Sequence, residues 1–335
     1  MKKGLKKTLS LVLAIGMIAV LFTGCNNGGG GDKQVVNILS ANYEEQIALQ
    51  LDYLRGLYPD AEINITYMSS GKLAAKLQAE GTDTDADIAL SLSSGYANQL
   101  KEAGRLLPYE AKTSYKSEYA DPDNIILPNG VWAGAILINT TELQRLGLPE
   151  PASYGDLLDP IYKGHIVMSG PNSSSTGYFF LQGILNLYGE EAGWAYFDSL
   201  RENIMLFGES GSIPSSMVEK GEAAIGLGID YEGMKLESDG KPVKTIFAAE
   251  GAPYDYDTVL LINRKAPPSD FVMEIMSAIT SPEGNAVFNN YNISVLEGVN
   301  DRGTYPADFK LLDMTGIADP DLKTANGEKW SQKYE

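Results

Sequence analysis

Small hydroxyl side chains crowd the stretch Ser169-Gly170-Pro171-Asn172-Ser173-Ser174-Ser175-Thr176-Gly177-Tyr178. A serine or threonine hydroxyl both donates and accepts, and small neighbours let a ligand reach the backbone N–H groups behind them. The flanking residues decide what such a stretch can do. His165-Ile166-Val167-Met168 reads as a short buried strand, and Phe179, Phe180, Ile184, Leu185 and Leu187 recur at helical spacing. The hydroxyls therefore stand where a strand hands over to a helix. The first turn of a helix offers unpartnered N–H groups and the positive end of the dipole, which together suit an oxyanion. A helix cap with surplus serines would use the same residues. Two further stretches, Ser69-Ser70-Gly71 and Ser91-Leu92-Ser93-Ser94-Gly95, repeat the pattern, and the repetition favours an anion site over capping alone.

The same inventory argues against catalysis. The chain has one cysteine, Cys25, and one histidine, His165. No Gly-x-Ser-x-Gly elbow and no glycine-rich loop ending in Lys-Ser/Thr is present. Hydroxyls without a general base or a metal cluster bind an anion and do not readily turn it over. No cofactor is expected, and the chain reads as a binder rather than an enzyme.

The elements that must position these residues follow from periodicity. Residues 35–39 form a strand, followed by a helix with Ile47, Leu51, Leu54 and Tyr58 on one face. Residues 62–67 alternate as a second strand, and Leu73 and Leu77 face inward on the helix after Gly71. Residues 86–90 make a third strand. Residues 131–139 are apolar and β-rich, 223–228 read as a buried strand, and 258–263 as a strand returning to the first unit. Helix signals run from 269 to 291, with a loose polar end beyond. Strands alternating with helices predict an α/β fold with mostly parallel sheets, in which ligands bind beyond the carboxyl ends of the strands. All three hydroxyl stretches fall there, so Ser69, Ser70, Gly71, Ser93, Ser94 and Asn172 to Tyr178 are the candidate anion ligands.

The opposite end of a ligand needs another partner. Asp230-Tyr231-Glu232 follows the 223–228 strand and reads as an exit loop that suits an amine or sugar hydroxyls; a solvated acidic loop is the plainer alternative. Asn42, Tyr43, Tyr96, Trp132 and Tyr254 are candidates to wall the cleft, although a buried aromatic is more often plain core. His165 reads as structural.

With 44% hydrophobic residues in 335, the chain can bury a large core, and a length like this usually divides in two. The formal net charge is −18, although Lys2, Lys3, Lys6 and Lys7 crowd the start. Nucleic acid and anionic membrane are poor partners for such a surface. Any anion must be held by local donors against the global field.

The lysines precede an apolar run from 9 to 22 that is too short for a comfortable membrane span and has the layout of a secretory signal. Thr23-Gly24-Cys25 resembles a bacterial lipobox, with Phe22 where leucine is usual. The resemblance implies cleavage before Cys25 and a lipid on its sulfur. Residues 1–24 are then the signal and 25–33 a glycine-rich tether.

Several ordered motifs carry a wider resemblance: Met68-Ser69-Ser70-Gly71-Lys72-Leu73, Asp85-Ala86-Asp87-Ile88, Gly104-Arg105-Leu106-Leu107-Pro108-Tyr109, Tyr162-Lys163-Gly164-His165-Ile166-Val167-Met168, the Ser173 to Tyr178 run, Lys220-Gly221-Glu222-Ala223-Ala224-Ile225-Gly226 and Ser281-Pro282-Glu283-Gly284. Together they resemble ABC-transporter extracellular solute-binding proteins, nearest the group that binds ferric iron, 2-aminoethylphosphonate or sugar phosphates. The resemblance implies a two-lobed periplasmic-binding-protein fold (type II) with two crossover segments and a ligand in the interlobe cleft. Lobe 1 would comprise 34–135 and 262–335, and lobe 2 136–261. It further implies a permease and an ATPase as partners, a monomer, and a place on the outer face of the bacterial cytoplasmic membrane. Ferric-binding members use paired tyrosines; this chain has no Tyr-Tyr pair, which leaves Tyr231 with Glu232 and Asp230 as the alternative metal site. The expected ligand is a small phosphorus-containing anion, with iron or a polyamine as the alternatives.

Overall fold

The computed structural model describes residues 34–42, 44–289, 293–301 and 305–335; the candidate Tyr43, Cys25 and the whole of 1–33 lie outside these. Among the described residues, ten strands run β1 Val35–Ser40, β2 Glu62–Tyr67, β3 Ile88–Ser93, β4 Leu106–Leu107, β5 Leu127–Asn139, β6 Ile166–Ser169, β7 Ile204–Gly208, β8 Ile225–Ile229, β9 Val243–Ile246 and β10 Tyr254–Ile262. The α-helices are α1 Glu44–Leu57, α2 Ser70–Glu80, α3 Ser94–Glu102, α4 Thr140–Leu146, α5 Ser175–Tyr188, α6 Glu190–Leu200, α7 Ile213–Lys220, α8 Asp230–Ser238, α9 Asp270–Thr280, α10 Pro282–Phe288 and α11 Pro320–Tyr334.

The main sheet path is β2-β1-β3-β10-β5-β8-β6-β7, with β4 on β10 and β9 on β5. The outer pairs β1–β2, β1–β3, β6–β7 and β6–β8 are parallel. The two central strands are antiparallel to their neighbours, so the expected parallel sheet holds only in each flank. Both central strands bridge the halves. Strand β5 pairs with β10 up to Ala133 and with β8 from Gly134. Strand β10 pairs with β5 over Tyr254 to Val259 and with β3 from Asp257 onward, with irregular register about Thr258. All of β5 is buried, which its apolar run requires when helices cover both faces.

Several clusters of apolar side chains form the core, two of them as follows. One gathers Val36, Ile38, Leu54, Ile88, Val259 and Ile275 beneath α1 and α9. The other gathers Ile136, Phe179, Phe180, Ile184, Trp194 and Phe197 around α5 and α6. The polar end of the chain is not loose. Asp319 caps α11 by accepting from the N–H groups of Asp321 and Leu322, and Pro320 stands at the first helical position. Trp330 of α11 is fully buried, edge-on to Phe197 and Phe207. The sequence reading placed this tail with lobe 1, yet its tryptophan joins the α5–α6 core.

Two expected loops are not loops. Strand β3 runs through Ser93 and α3 begins at Ser94, so residues 91–95 hold no free exit segment. Asp230, Tyr231 and Glu232 form the first turn of α8, directly after β8. Carboxylates are favoured at that end of a helix, which explains the acidic run without a ligand.

Candidate functional site

The N-termini of α2 and α5 meet at one cavity with a volume of about 40 Å³. That is several times the ~10–15 Å³ one water needs. From one side it is lined by Ala41, Tyr67, Ser69, Ser70 and Ser91, and from the other by Ser173, Ser174, Ser175, Thr176, Ser210 and Gly211. Trp132 and Asp257 of the central strands and Ile229 complete the lining, and no lysine, arginine or histidine lines it among the described residues.

Local bonding fixes each wall. Ser174 is the N-cap of α5 and accepts from the Thr176 N–H at 3.2 Å. Ser173 Oγ donates to the carbonyls of Gly170 and Gly208, and Ser169 Oγ donates to the Ser210 carbonyl at 2.9 Å. These bonds bind the α5 entry to the turn after β7. A side chain at Gly211 would bring its Cβ to 2.4 Å from Thr176 Oγ1, so glycine is what lets that turn close over the helix end. Across the cavity, Ser70 Oγ and Ser175 Oγ are 3.1 Å apart, and Tyr67 and Ser210 hydroxyls 3.4 Å apart. At the exposed rim Lys72 pairs with Glu209 at 3.2 Å.

The α2 wall differs in kind. Ser69 is its N-cap residue but makes no side-chain cap bond. The hydroxyls of Ser69 and Ser91 are buried without a hydrogen-bond partner. Ser91 is 5% exposed and holds φ at 60°, a conformation costly for a residue with a side chain. A buried hydroxyl with no partner costs roughly 1–3 kcal/mol. Two of them line this one cavity, one on a strained backbone.

The sequence-predicted residues divide accordingly. Ser69, Ser70, Ser173, Ser174, Ser175, Thr176 and Trp132 come together at this cavity. Ser93 and Ser94 are 1% and 0% exposed and lie off it, because the strand continues past the expected loop; the Ser94 N–H instead donates to Asp255 at 3.4 Å. Gly71 abuts the opposite half, since a Cβ there would lie 2.9 Å from the Asn172 carbonyl. Asn172 donates to the Gly327 carbonyl and to Ser331 Oγ of α11. Gly177 packs on the Ser169 carbonyl, with 2.4 Å left for a Cβ. Tyr178 is buried, its hydroxyl donating to Gln182.

Tyr96 and Tyr178 sandwich the ammonium of Lys323, at 4.0 and 3.5 Å from the ring centres. Lys323 is buried with no hydrogen-bond partner, and burial pulls it down to about 7. Burial likewise pushes Tyr96 up to about 12, and Asp255 up to about 6. Asn42 is buried, its N–H donating to Ser40 Oγ. Tyr254 packs with Val131 and its neighbours beneath the C-terminal loops.

Asp230 is fully buried and tied on both oxygens, accepting from the Ala133 N–H at 3.1 Å and the Tyr305 hydroxyl at 2.8 Å. Burial raises it to about 6 against those bonds. Tyr231 and Glu232 line a wider pocket of about 640 Å³ with Glu44, Glu45 and Lys235. Burial, then the charges of Glu232, Asp257, Asp230 and Glu45, hold the Tyr231 hydroxyl well above its ordinary value. The trio therefore does not converge on one point. Among the described residues, no group of three or more His, Cys, Asp or Glu side chains could hold a metal ion.

Sequence reasoning missed Ser91, Ser210, Gly211, Tyr67 and Asp257. The run Glu209-Ser210-Gly211-Ser212 repeats the small-hydroxyl pattern after β7, and recognising Ile204–Gly208 as a strand would have exposed it. Asp257 alternates with Asp255 in a Tyr-Asp-Tyr-Asp run, a period-2 signal that buries both on one face of β10.

The bacterial extracellular solute-binding protein family matches residues 83–318. An uncharacterised protein of Haemophilus influenzae is 27% identical over 213 residues, 61% of each chain. The phosphoglycerate transport regulatory protein PgtC of Salmonella typhimurium is 27% identical over 157 residues, 47% of this chain and 39% of that one. The chain thus spans about three-fifths and two-fifths of these relatives. Among solved structures, the periplasmic binding protein AfuA of Actinobacillus pleuropneumoniae, with fructose-6-phosphate bound, superposes with a TM-score of 0.82 at 22% identity, covering 90% of this chain and 98% of that one. That likeness bears on the fold, which is the two-lobed binding-protein architecture.

Proposed function

The chain belongs to the bacterial extracellular solute-binding proteins, and from that premise we propose that it is the solute-capturing component of an ABC importer for a small phosphorus-containing anion, a phosphonate or an organophosphate. One observation carries the reading. Helix N-termini from both halves, dressed in small hydroxyls, converge on a cavity where Ser69 and Ser91 have no partner. A phosphoryl or phosphonyl head brings acceptor oxygens to donors of both halves at once. Micromolar affinity requires about −8 kcal/mol, and hydrogen bonds to a charged group contribute roughly 1.5–3 kcal/mol each. Four to six of them would offset the entropy of association. Contact with both halves also favours the closed arrangement, because a ligand shifts the equilibrium toward the state it binds better. The names of the Salmonella and Actinobacillus proteins, which refer to phosphoglycerate and fructose-6-phosphate, point the same way.

Asp230, whose two oxygens are already engaged, weakens the ferric reading built on Tyr231 and Glu232. We place the protein outside the cytoplasmic membrane, held by a lipid on Cys25, with a permease and an ATPase as partners; Cys25→Ser would shift it from the membrane fraction to the medium.

The test is calorimetric titration of the mature protein with 2-aminoethylphosphonate, glycerol phosphate, hexose phosphates, phosphate, a polyamine and ferric citrate. Binding of at least one phosphorus compound is expected, weakened roughly tenfold or more by Ser174→Ala with Thr176→Ala, given the strength of charge-assisted bonds. Binding of iron or polyamine alone, or an unchanged double variant, would overturn the reading.

A further inference from the structure

A second pocket, about 320 Å³ in volume, lies where α3, the entry to α5 and α11 meet. That volume is at the small end of ligand sites. Tyr96 and Gln99 of α3 line it, with Asn172 and Tyr178 at the α5 entry and Lys323 and Ser331 of α11. It shares no lining residue with the hydroxyl cavity. Lys323 is 5% exposed, and a lysine so deeply buried ordinarily has a partner. Its Nζ makes no hydrogen bond. The rings of Tyr96 and Tyr178 attract it at 4.0 and 3.5 Å, but a ring face is no oxygen acceptor. The two phenol hydroxyls are engaged elsewhere, Tyr96 donating to the Asn172 carbonyl at 3.3 Å and Tyr178 to Gln182 at 3.4 Å. Asp255 of β10 acts on the amine through space, yet its Oδ1 already accepts from the N–H groups of Ser94 and Tyr256. Ser331 Oγ accepts from the Asn172 amide and donates to Glu335. Charged or neutral, an amine donates, so in either state Lys323 lacks an acceptor.

We propose that this pocket is a second binding site, for a small organic monocarboxylate whose head accepts from Lys323 Nζ and whose body lies beside Tyr96 and Tyr178. The inference goes beyond the phosphorus-anion reading and does not rest on it. The surroundings select the chemistry. Aromatic walls suit an organic body. One amine suits one negative charge. A dianion such as phosphate would bring a second charge to a place where, among the described residues, the lining holds no second cation. Glu328, exposed at the rim of the same pocket, adds to that penalty. A carboxylate beside the amine favours its charged form, so arrival of the guest strengthens the pair.

The experiment is calorimetric titration of the intact mature protein at neutral pH with benzoate, with propionate, and with benzamide, which matches benzoate in shape and carries no charge. Benzoate should bind, and benzamide should bind at least about tenfold more weakly, the worth of one hydrogen bond to a charged group. Lys323→Met keeps an unbranched, polarizable side chain between the two rings and removes the donor. It should lose roughly tenfold or more of the benzoate affinity. The contrast between benzoate and benzamide needs no variant, so a misfolded Lys323→Met does not rescue the idea. Failure of both carboxylates to bind the wild type, equal affinity for benzoate and benzamide, or a folded Lys323→Met that binds benzoate as the wild type does would overturn it. No phosphorus compound enters this titration, so each of those results leaves the reading of the hydroxyl cavity standing, and failure of that cavity to bind a phosphorus compound leaves this pocket standing.

Discussion

At the scale of single residues, the site stores unmet hydrogen bonds. Ser69 and Ser91 keep buried hydroxyls without partners, while the α5 hydroxyls are largely occupied. Removing a group that has no partner costs the free protein nothing. Ser69→Ala and Ser91→Ala should therefore leave the unliganded melting temperature unchanged or raised. Each should weaken phosphonate binding by roughly tenfold, the worth of one hydrogen bond to a charged group. Thermal melts with and without ligand check both halves of that statement, and a large loss of unliganded stability would count against it. Lys323 is the other residue at odds with its surroundings. It is buried between Tyr96 and Tyr178, and its pKa of about 7 lies below the ordinary lysine value. Between these two values the unfolded chain binds more protons than the native protein, so this residue's contribution makes stability rise with pH from about 7 to about 10. Lys323→Met should be the more stable form at pH ~7, and its advantage should shrink steadily as pH rises through that window. Denaturant midpoints at three pH values test it.

At the scale of elements, the strand-to-helix junctions decide which residues become a site. Gly211 lies in the turn between β7 and α7 and is pressed against Thr176 of α5. Gly211→Ala should hold the turn off the helix end and reduce affinity more than tenfold while shifting the melting temperature by only a few degrees, about what ~1 kcal/mol produces in a chain this long. The hydroxyl runs Ser173-Ser174-Ser175-Thr176 and Ser69-Ser70 were legible as helix starts because a strand, a cap and an apolar helix face frame each of them. Ser93 and Ser94 were misplaced because β3 outruns its apolar stretch by pairing with β10 through Asp257, a long-range partner no local pattern announces. The acidic start of α8 read as a loop for the opposite reason. No cap residue separates it from β8, whose last residue, Ile229, is the N-cap. The last helix escaped notice because Thr324, Asn326 and Gly327 break its periodicity, and long-range contacts hold it, Trp330 against Phe197 and Phe207 and Lys323 between Tyr96 and Tyr178. The α/β order was readable throughout, whereas the antiparallel centre was not, since β5 and β10 are ordinary apolar strands in isolation.

At the scale of the whole molecule, an acidic protein of net charge −18 is expected to capture an anion. The far field opposes the encounter and only the last few ångströms favour it. Added salt screens the repulsion over about 10 Å at 0.1 M. Association of a phosphonate should then quicken as ionic strength rises, the reverse of electrostatic steering. Dissociation, governed by buried contacts, should change little. Stopped-flow rates at several salt concentrations decide this, and an association rate that falls with salt would show a local positive field absent from the lining. The halves already touch through Ser70 and Ser175, and a ligand bridging them adds stability by mass action, about 2.7 kcal/mol at a hundred times its dissociation constant.

Trp132 stands in the cavity wall with its indole N–H on Asp257, while the other two tryptophans, Trp194 and Trp330, sit in the α5–α6 core. The protein thus carries its own optical reporter. A guest in the cavity alters the polarity felt by one indole and leaves the other two as an internal reference. With Trp194 and Trp330 replaced by phenylalanine, the emission colour of a single chromophore would register each arrival and departure in real time, with no label attached.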